Sequence, residues 1–404
     1  MKLTSAACLI VCLALSAGTL LGEHHHKVAR KFIYPDEFAP GKSYTPGILV
    51  GDYLYISGQI DKDPKTGAQP EGIPDQTRMA MDNMGHVLRT AGMDFGNVVT
   101  CHVQLNNMDN YKEMNEVYGG YFGPDHFPAR TTLEFPGLPG GSNLEVTCIA
   151  YADKSKISIV TPPAGSIPAA MGPYRPAVWA GDLLYVSGSG GRLPATNELD
   201  PTIEGQTDQT MKNIGAILAA AGLDHEDAVF VNVYFLDPKG YSGTTYGKLN
   251  SIYKNYFTIG TAPSRASFCL SKLPGTISTE ITFVATRDAA NKGRVVPSYM
   301  GTSPTSSGGG VLAGDTLWTS GKSGKGDTLE AQMRDSLESI RDTLNLAGMD
   351  MEHVVDAHVY LKDIADMPKM DAVFKEYFPN NPPVRTTVQV IQQQLEQVQV
   401  VAVR

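Results

Sequence analysis

The chain has 404 residues, 42% of them apolar and 19% charged, with a formal net charge of −9. The length suits two to four domains at roughly 100–200 residues each, and the composition is that of a globular chain, not a disordered one. An acidic balance without clustered Lys and Arg argues against phosphate-backbone binding, so nucleic acid is not an expected partner.

In chain order, Lys2, an apolar run at residues 6–15 and the small residues Ser16, Ala17 and Gly18 read as a signal peptide over residues 1–22. Cleavage is expected between residues 17 and 22, with export to a periplasm or the outside. The apolar run is too short to span a bilayer, so no membrane association is expected after cleavage. Cys8 and Cys12 leave with it, and the remaining Cys101, Cys148 and Cys269 are too few for a disulfide framework. Cys101 and Cys148 fall in predicted strands and could pair if those strands are neighbours. Buried free thiols are the favoured expectation. His24, His25 and His26 read as a solvated tail.

Beyond residue 28 the sequence states one pattern three times. Gly51-Asp52-Tyr53-Leu54-Tyr55-Ile56-Ser57-Gly58 returns as Gly181-Asp182-Leu183-Leu184-Tyr185-Val186-Ser187-Gly188 and as Gly314-Asp315-Thr316-Leu317-Trp318-Thr319-Ser320-Gly321. A period this long means tandem domains, since solenoid repeats run at about 20–50 residues. The units are placed at residues 28–152, 159–287 and 294–404, with Pro/Gly-rich connections between them. Each begins with alternating strands. A helix follows, with apolar residues at helical spacing (Ala80, Met84, Val87 and Leu88 in the first unit) and Gly92, Gly222 or Gly348 after its end. A Val-rich strand, a second helix ending in Tyr-Phe, a Pro-x-Arg and a last strand complete it. The fold class expected is α+β, three sheets each with two helices on one face. The second face of each sheet is also partly apolar, which points to burial against another unit in a closed pseudo-threefold ring.

The string Gly-Asp followed by Tyr-x-Ser-Gly, then Asn-x-x-Tyr-x-x-Tyr-Phe, then Pro-x-Arg and a final Glu-bearing strand resembles the Rid/YjgF family of reactive enamine/imine deaminases. The likeness runs through all three units. It implies a chorismate-mutase-like fold, trimers with clefts between subunits, and hydrolysis of 2-aminoacrylate-type intermediates to 2-keto acids and ammonia without a cofactor. Here one chain would supply all three units, as a monomeric pseudo-trimer.

Arg130 and Arg265 each follow a Pro-x into a strand, where a guanidinium fork suits a carboxylate. Arg385 repeats this in the third unit. Glu145 and Glu280, fifteen positions after their arginines, sit among apolar strand residues, where an unpaired carboxylate is costly. They are candidates to hold and activate water. The resemblance adds Tyr44 and Tyr174 as proton donors, and Ser57, Gly58, Ser187, Gly188, Asn115 and Asn250 as substrate-binding positions. The partner expected is a small-molecule carboxylate. No residues have metal-ligand spacing; His102 and His358 occupy equivalent positions, but Asn232 replaces them in unit two, which favours packing. In unit three Ser307 falls at the tyrosine count, Asp371 stands for Asn, and Gln399 is aligned with the glutamates. That unit is expected to be architectural, leaving up to two working sites. A non-catalytic binding protein of the same fold is the alternative reading; a ribonuclease ranks third because of the acidic balance.

Overall fold

The computed structural model describes residues 28–404 except 39, 40, 124, 301, 302 and 304. The expected signal peptide and the His24–His26 tract lie outside the described residues.

Unit one contains β1 (Arg30–Ile33), β2 (Gly47–Val50), β3 (Tyr53–Ile56), β4 (Gln59–Ile60), α1 (Ile73–Thr90), β5 (Val98–Leu105), α2 (Tyr111–Tyr118), β6 (Ala129–Glu134) and β7 (Leu144–Tyr151). Unit two has β8 (Ile157–Val160), β9 (Ala177–Ala180), β10 (Leu183–Gly190), α3 (Ile203–Ala220), β11 (Ala228–Leu236), α4 (Thr244–Tyr253), β12 (Ser264–Leu270) and β13 (Thr279–Thr286). Unit three has β14 (Lys292–Val295), β15 (Gly310–Ala313), β16 (Thr316–Thr319), α5 (Leu329–Leu346), β17 (Val354–Leu361), α6 (Met367–Tyr377), β18 (Val384–Gln389) and β19 (Glu396–Val403). The sheets share one strand order, β1-β2-β3-β7-β5-β6 and its counterparts, with β4 also on β7. Among the named strands of the described residues, the β5–β6, β11–β12 and β17–β18 pairs are parallel and the others antiparallel.

Local chemistry sets these elements. The side chains of Thr202 and Thr328 cap α3 and α5 by accepting from the amides of Gly205 and Ala331. The long helices stop where Gly92, Gly222 and Gly348 take φ of +81°, +77° and +71°, a conformation that costs glycine little. Each helix pair buries its apolar stripe on one face of its own sheet; Met84, Val87, Leu88, Cys101 and Val103 share the core of unit one. The opposite sheet faces meet one another. Tyr55, Val99, Val178, Tyr185, Val229, Trp318, Val355 and Val401, drawn from all three units, form one buried cluster. Each such side chain contributes roughly 1.5–3 kcal/mol on burial, which ties the units together.

The ring closes by three similar junctions. Arg175 N donates to Pro128 O, Ser307 N to Pro263 O and Thr45 N to Pro383 O, at 3.0, 3.0 and 3.2 Å. The strand bearing each arginine thus lies against the Ser-Gly segment of the next unit, and unit three is joined back to unit one.

Two expectations are corrected. Cys101 and Cys148 form a disulfide and are not free thiols; they are directly opposed on β5 and β7 with Cα atoms 4.2 Å apart. Closing a 47-residue span is worth about 4 kcal/mol on the chain-entropy account. Cys269 is a buried free thiol. The residue of β19 equivalent to Glu145 and Glu280 is Gln397, not Gln399. Glu145 pairs with Gln104, Glu280 with Tyr234 and Gln397 with Tyr360, whereas Gln399 pairs with His358 as Thr147 does with His102. The loop after β18 is shorter, so the Arg-to-acid spacing falls from 15 to 12 (397 − 385).

Candidate active site between units one and two

The arginine and the glutamate of one unit serve different clefts: each cleft takes its arginine and the helix residue that orients it from one unit, and its Ser-Gly and acid position from the next. Three clefts result, and they are unequal.

In the first, β6 of unit one supplies Arg130 and unit two supplies Tyr174, Ser187, Gly188 and Glu280. Arg130 is 3% exposed, and its fork is aimed by its own unit: Nη1 donates to Asn115 Oδ1 at 2.6 Å and Nη2 to Tyr111 OH at 3.3 Å. The Tyr118 ring lies 4.9 Å from the guanidinium carbon and the Tyr174 ring 5.5 Å. The Arg130 amide donates to Ser187 Oγ at 2.8 Å, and that hydroxyl bonds the Arg175 carbonyl, so the serine rivets the junction. Glu280 is 5% exposed on β13. Burial pushes its carboxyl up to about 8, and Arg130 pulls back only part of the rise. Burial likewise raises the Tyr174 phenol, keeping it protonated.

The repeated Ser-Gly has a steric reason. A Cβ on Gly188 would stand 1.9 Å from Glu280 Oε1, and one on Gly58 would stand 1.7 Å from Glu145 Oε1. Only glycine lets the carboxylate reach its place. The cleft holds about 870 Å³ of space including its mouth, and beyond the charged end it is walled by Ile167, Met171, Ile217 and Ile277, with Arg192 and Asn213.

The second cleft keeps the arginine but not the acid. Arg265 donates to Asn250 Oδ1 at 2.7 Å and to the Tyr246 hydroxyl, and its amide faces Ser320 Oγ at 3.3 Å. Opposite stand Gln397 and, by hydrogen-bond register, Ser306 in the tyrosine's place, because Ser307 takes the position held elsewhere by Thr45 and Arg175. Lys322 also enters this region, its ammonium lowered to about 8 by burial and bonded to Gly308 O.

The third cleft keeps the acid but neutralises the arginine. Tyr44, Ser57, Gly58 and Glu145 of unit one face Arg385 of unit three; Ser57 Oγ accepts from the Arg385 amide at 2.9 Å. Burial raises Glu145 to about 8. Arg385, however, is ion-paired at 2.7 Å with Asp371, the residue in the Asn115 place. Met367 and Phe374 stand where unit one has Tyr111 and Tyr118.

Tyr111 and Tyr246 were missed by the sequence reading. The signal was present: each precedes its asparagine by four positions (115 − 111 and 250 − 246), one helical turn. The apolar wall lay in connecting segments without periodicity. Among the described residues, no group of three or more His, Cys, Asp or Glu is placed to hold a metal ion, and no helix is long and apolar enough to cross a membrane.

The family model described as Endoribonuclease L-PSP matches residues 35–152, 164–287 and 305–401. The chain belongs to this family. Its Rid/YjgF relatives include the 2-iminobutanoate/2-iminopropanoate deaminase of Homo sapiens, 39% identical over 115 residues, which are 28% of this chain and 83% of the relative. A RutC family protein of Pyrococcus horikoshii is 40% identical over 111 residues, 27% of this chain and 87% of its own. A solved structure of a Rid-family protein from Yersinia pestis is 34% identical and covers 30% of this chain and 99% of its own, at a TM-score of 0.30. Each such relative has about the length of one unit, so this Rid-family chain carries three.

Proposed function

We propose that the cleft between units one and two hydrolyses 2-imino acids, and their 2-enamino tautomers, to 2-keto acids and ammonium. The observation that carries this reading is the meeting of Arg130, Glu280 and Tyr174 in one solvent-connected cleft. Arg130, already aligned by Asn115 and Tyr111, holds the substrate carboxylate and so fixes the C2 carbon relative to Glu280. Glu280 takes a proton from a water that adds to C2, forming the C–O bond as the C=N pair moves to nitrogen. Returning that proton to nitrogen makes it a leaving group; the C–N bond breaks as the hydroxyl oxygen forms the carbonyl and gives its proton to Glu280, which passes it to the departing ammonia, so the keto acid and ammonium leave. A cationic iminium beside Glu280 favours its ionised form, which suits a group whose free-state value lies near 8. For an enamine, the neutral Tyr174 phenol supplies the proton to C3.

The names of the deaminase relatives support the reaction class. The disulfide supports the expected export, since such bonds persist in oxidising compartments. The test is release of ammonium and keto acid from freshly generated 2-imino acids, above the buffer rate, by the wild type and by Arg130→Ala. Equal rates for the two would overturn the proposal.

A further inference from the structure

The three inner sheet faces enclose a second space, away from the clefts. Between the apolar layer of Val99, Val229 and Val355 and the layer of Leu133, Phe268 and Val388, the axis widens into a chamber of about 70 Å³. The strand position facing it is held by His102, Asn232 and His358, so the pseudo-threefold is broken here. Sequence alone favoured packing for these residues, yet the otherwise apolar wall carries polar groups that are unsatisfied.

Three atoms of that wall are buried without a hydrogen-bond partner: Asp356 Oδ1, Asn232 Oδ1 and Gln399 Oε1. Their residues are 5%, 3% and 1% exposed. All three atoms are acceptors. Two neighbouring donors are engaged, Gln399 Nε2 with Tyr360 OH at 3.2 Å and His358 Nε2 3.1 Å from Asp356 Oδ2, while Thr100 and His102 also line the chamber. Leaving a buried acceptor bare costs about 1–3 kcal/mol, so the chamber calls for a guest that brings positive charge or hydrogens. One carboxylate, half engaged by His358, lacks the charge to dehydrate a divalent ion. Two neutral amide oxygens in the same wall are the kind of ligand that a large monovalent cation takes.

We propose that the axial chamber binds one monovalent cation of potassium or ammonium size through Asp356, Asn232 and Gln399. The site is independent of the clefts, and its occupant braces the three units where their apolar contact is interrupted.

Crystals of the full mature chain soaked in rubidium chloride should show an anomalous peak within about 3 Å of the three oxygens, a distance near that of ordinary polar contacts. In solution, potassium and ammonium chlorides should each raise the melting temperature saturably, by roughly 2–5 °C over choline chloride at equal ionic strength. Gln399→Leu should remove that difference while melting normally in choline. The larger of the two shifts identifies the preferred ion. No rubidium peak in the wild type, together with equal melting in all three salts, would mean that the chamber holds only water and would overturn the proposal.

Discussion

The cleft between units one and two and the cleft between units three and one present the same parts in the same register: a buried arginine, a serine that rivets it, a glutamate raised to about 8, and a tyrosine above. Of the three helix positions at which they differ, Tyr111/Met367, Asn115/Asp371 and Tyr118/Phe374, one changes the charge. In the first, Asn115 orients Arg130 and leaves its charge for a ligand; in the third, Asp371 takes that charge. An incoming carboxylate would have to displace a resident one. A single amide-to-acid difference therefore separates an open anion site from a closed one, although both acids carry the same shift.

The largest effects should come from the open cleft. Glu280→Gln should lower kcat/KM for 2-imino acids about 10²–10⁴-fold, whereas Glu145→Gln should change it less than about twofold within the ordinary scatter of distant sites. Comparable losses from both would break the distinction. Next in size is the pH profile. Because Glu280 must be ionised to accept a proton, kcat/KM should climb about tenfold per pH unit below about 8 and level off above it; a profile flat from pH 6 to 9 would remove Glu280 as the base.

Asp371→Asn sharpens the comparison from the other side. Freed of its partner, Arg385 should bind a 2-keto acid, and calorimetry should report one more site per chain than in the wild type. Without Tyr111 and Tyr118 equivalents, the gained site should be the weaker. The smallest effect concerns stability. Glu145 and Glu280 have folded values raised from 4.5 to about 8. Their contribution is fully present below 4.5 and is lost as pH rises towards 8, since the unfolded chain releases those protons first. The melting temperature should fall over that window, and Glu145→Gln should flatten the fall by a few degrees without touching activity.

Much of this was legible in the residues. The repeated Gly-Asp and Ser-Gly, the helical stripes and the terminal glycines encode local structure, and local structure recurs wherever the string does. The arginines and acids stood out because a strand carries them among apolar neighbours. What the string does not encode is which unit faces which: Arg130 and Glu145 are neighbours in sequence but serve different clefts, so grouping by unit counted two complete sets where the ring assembles one. The Gln397 register and the Cys101–Cys148 bond were hidden for a related reason. Both depend on which residues oppose each other on sheet neighbours that are distant in sequence, and for Gln397 a three-residue change in loop length moves that pairing without altering either strand's pattern.

The junctions also differ in how far apart along the chain their halves lie. Arg130 and Ser187 are 57 residues apart, while Arg385 and Ser57 are 328 apart. Contacts between adjacent units can form as soon as both have been made, and domains made first generally fold first. The last junction must wait for the C-terminus and close the longest loop. The one complete cleft is thus also the earliest that a growing chain can assemble, and the closed third cleft serves as the clasp that finishes the ring.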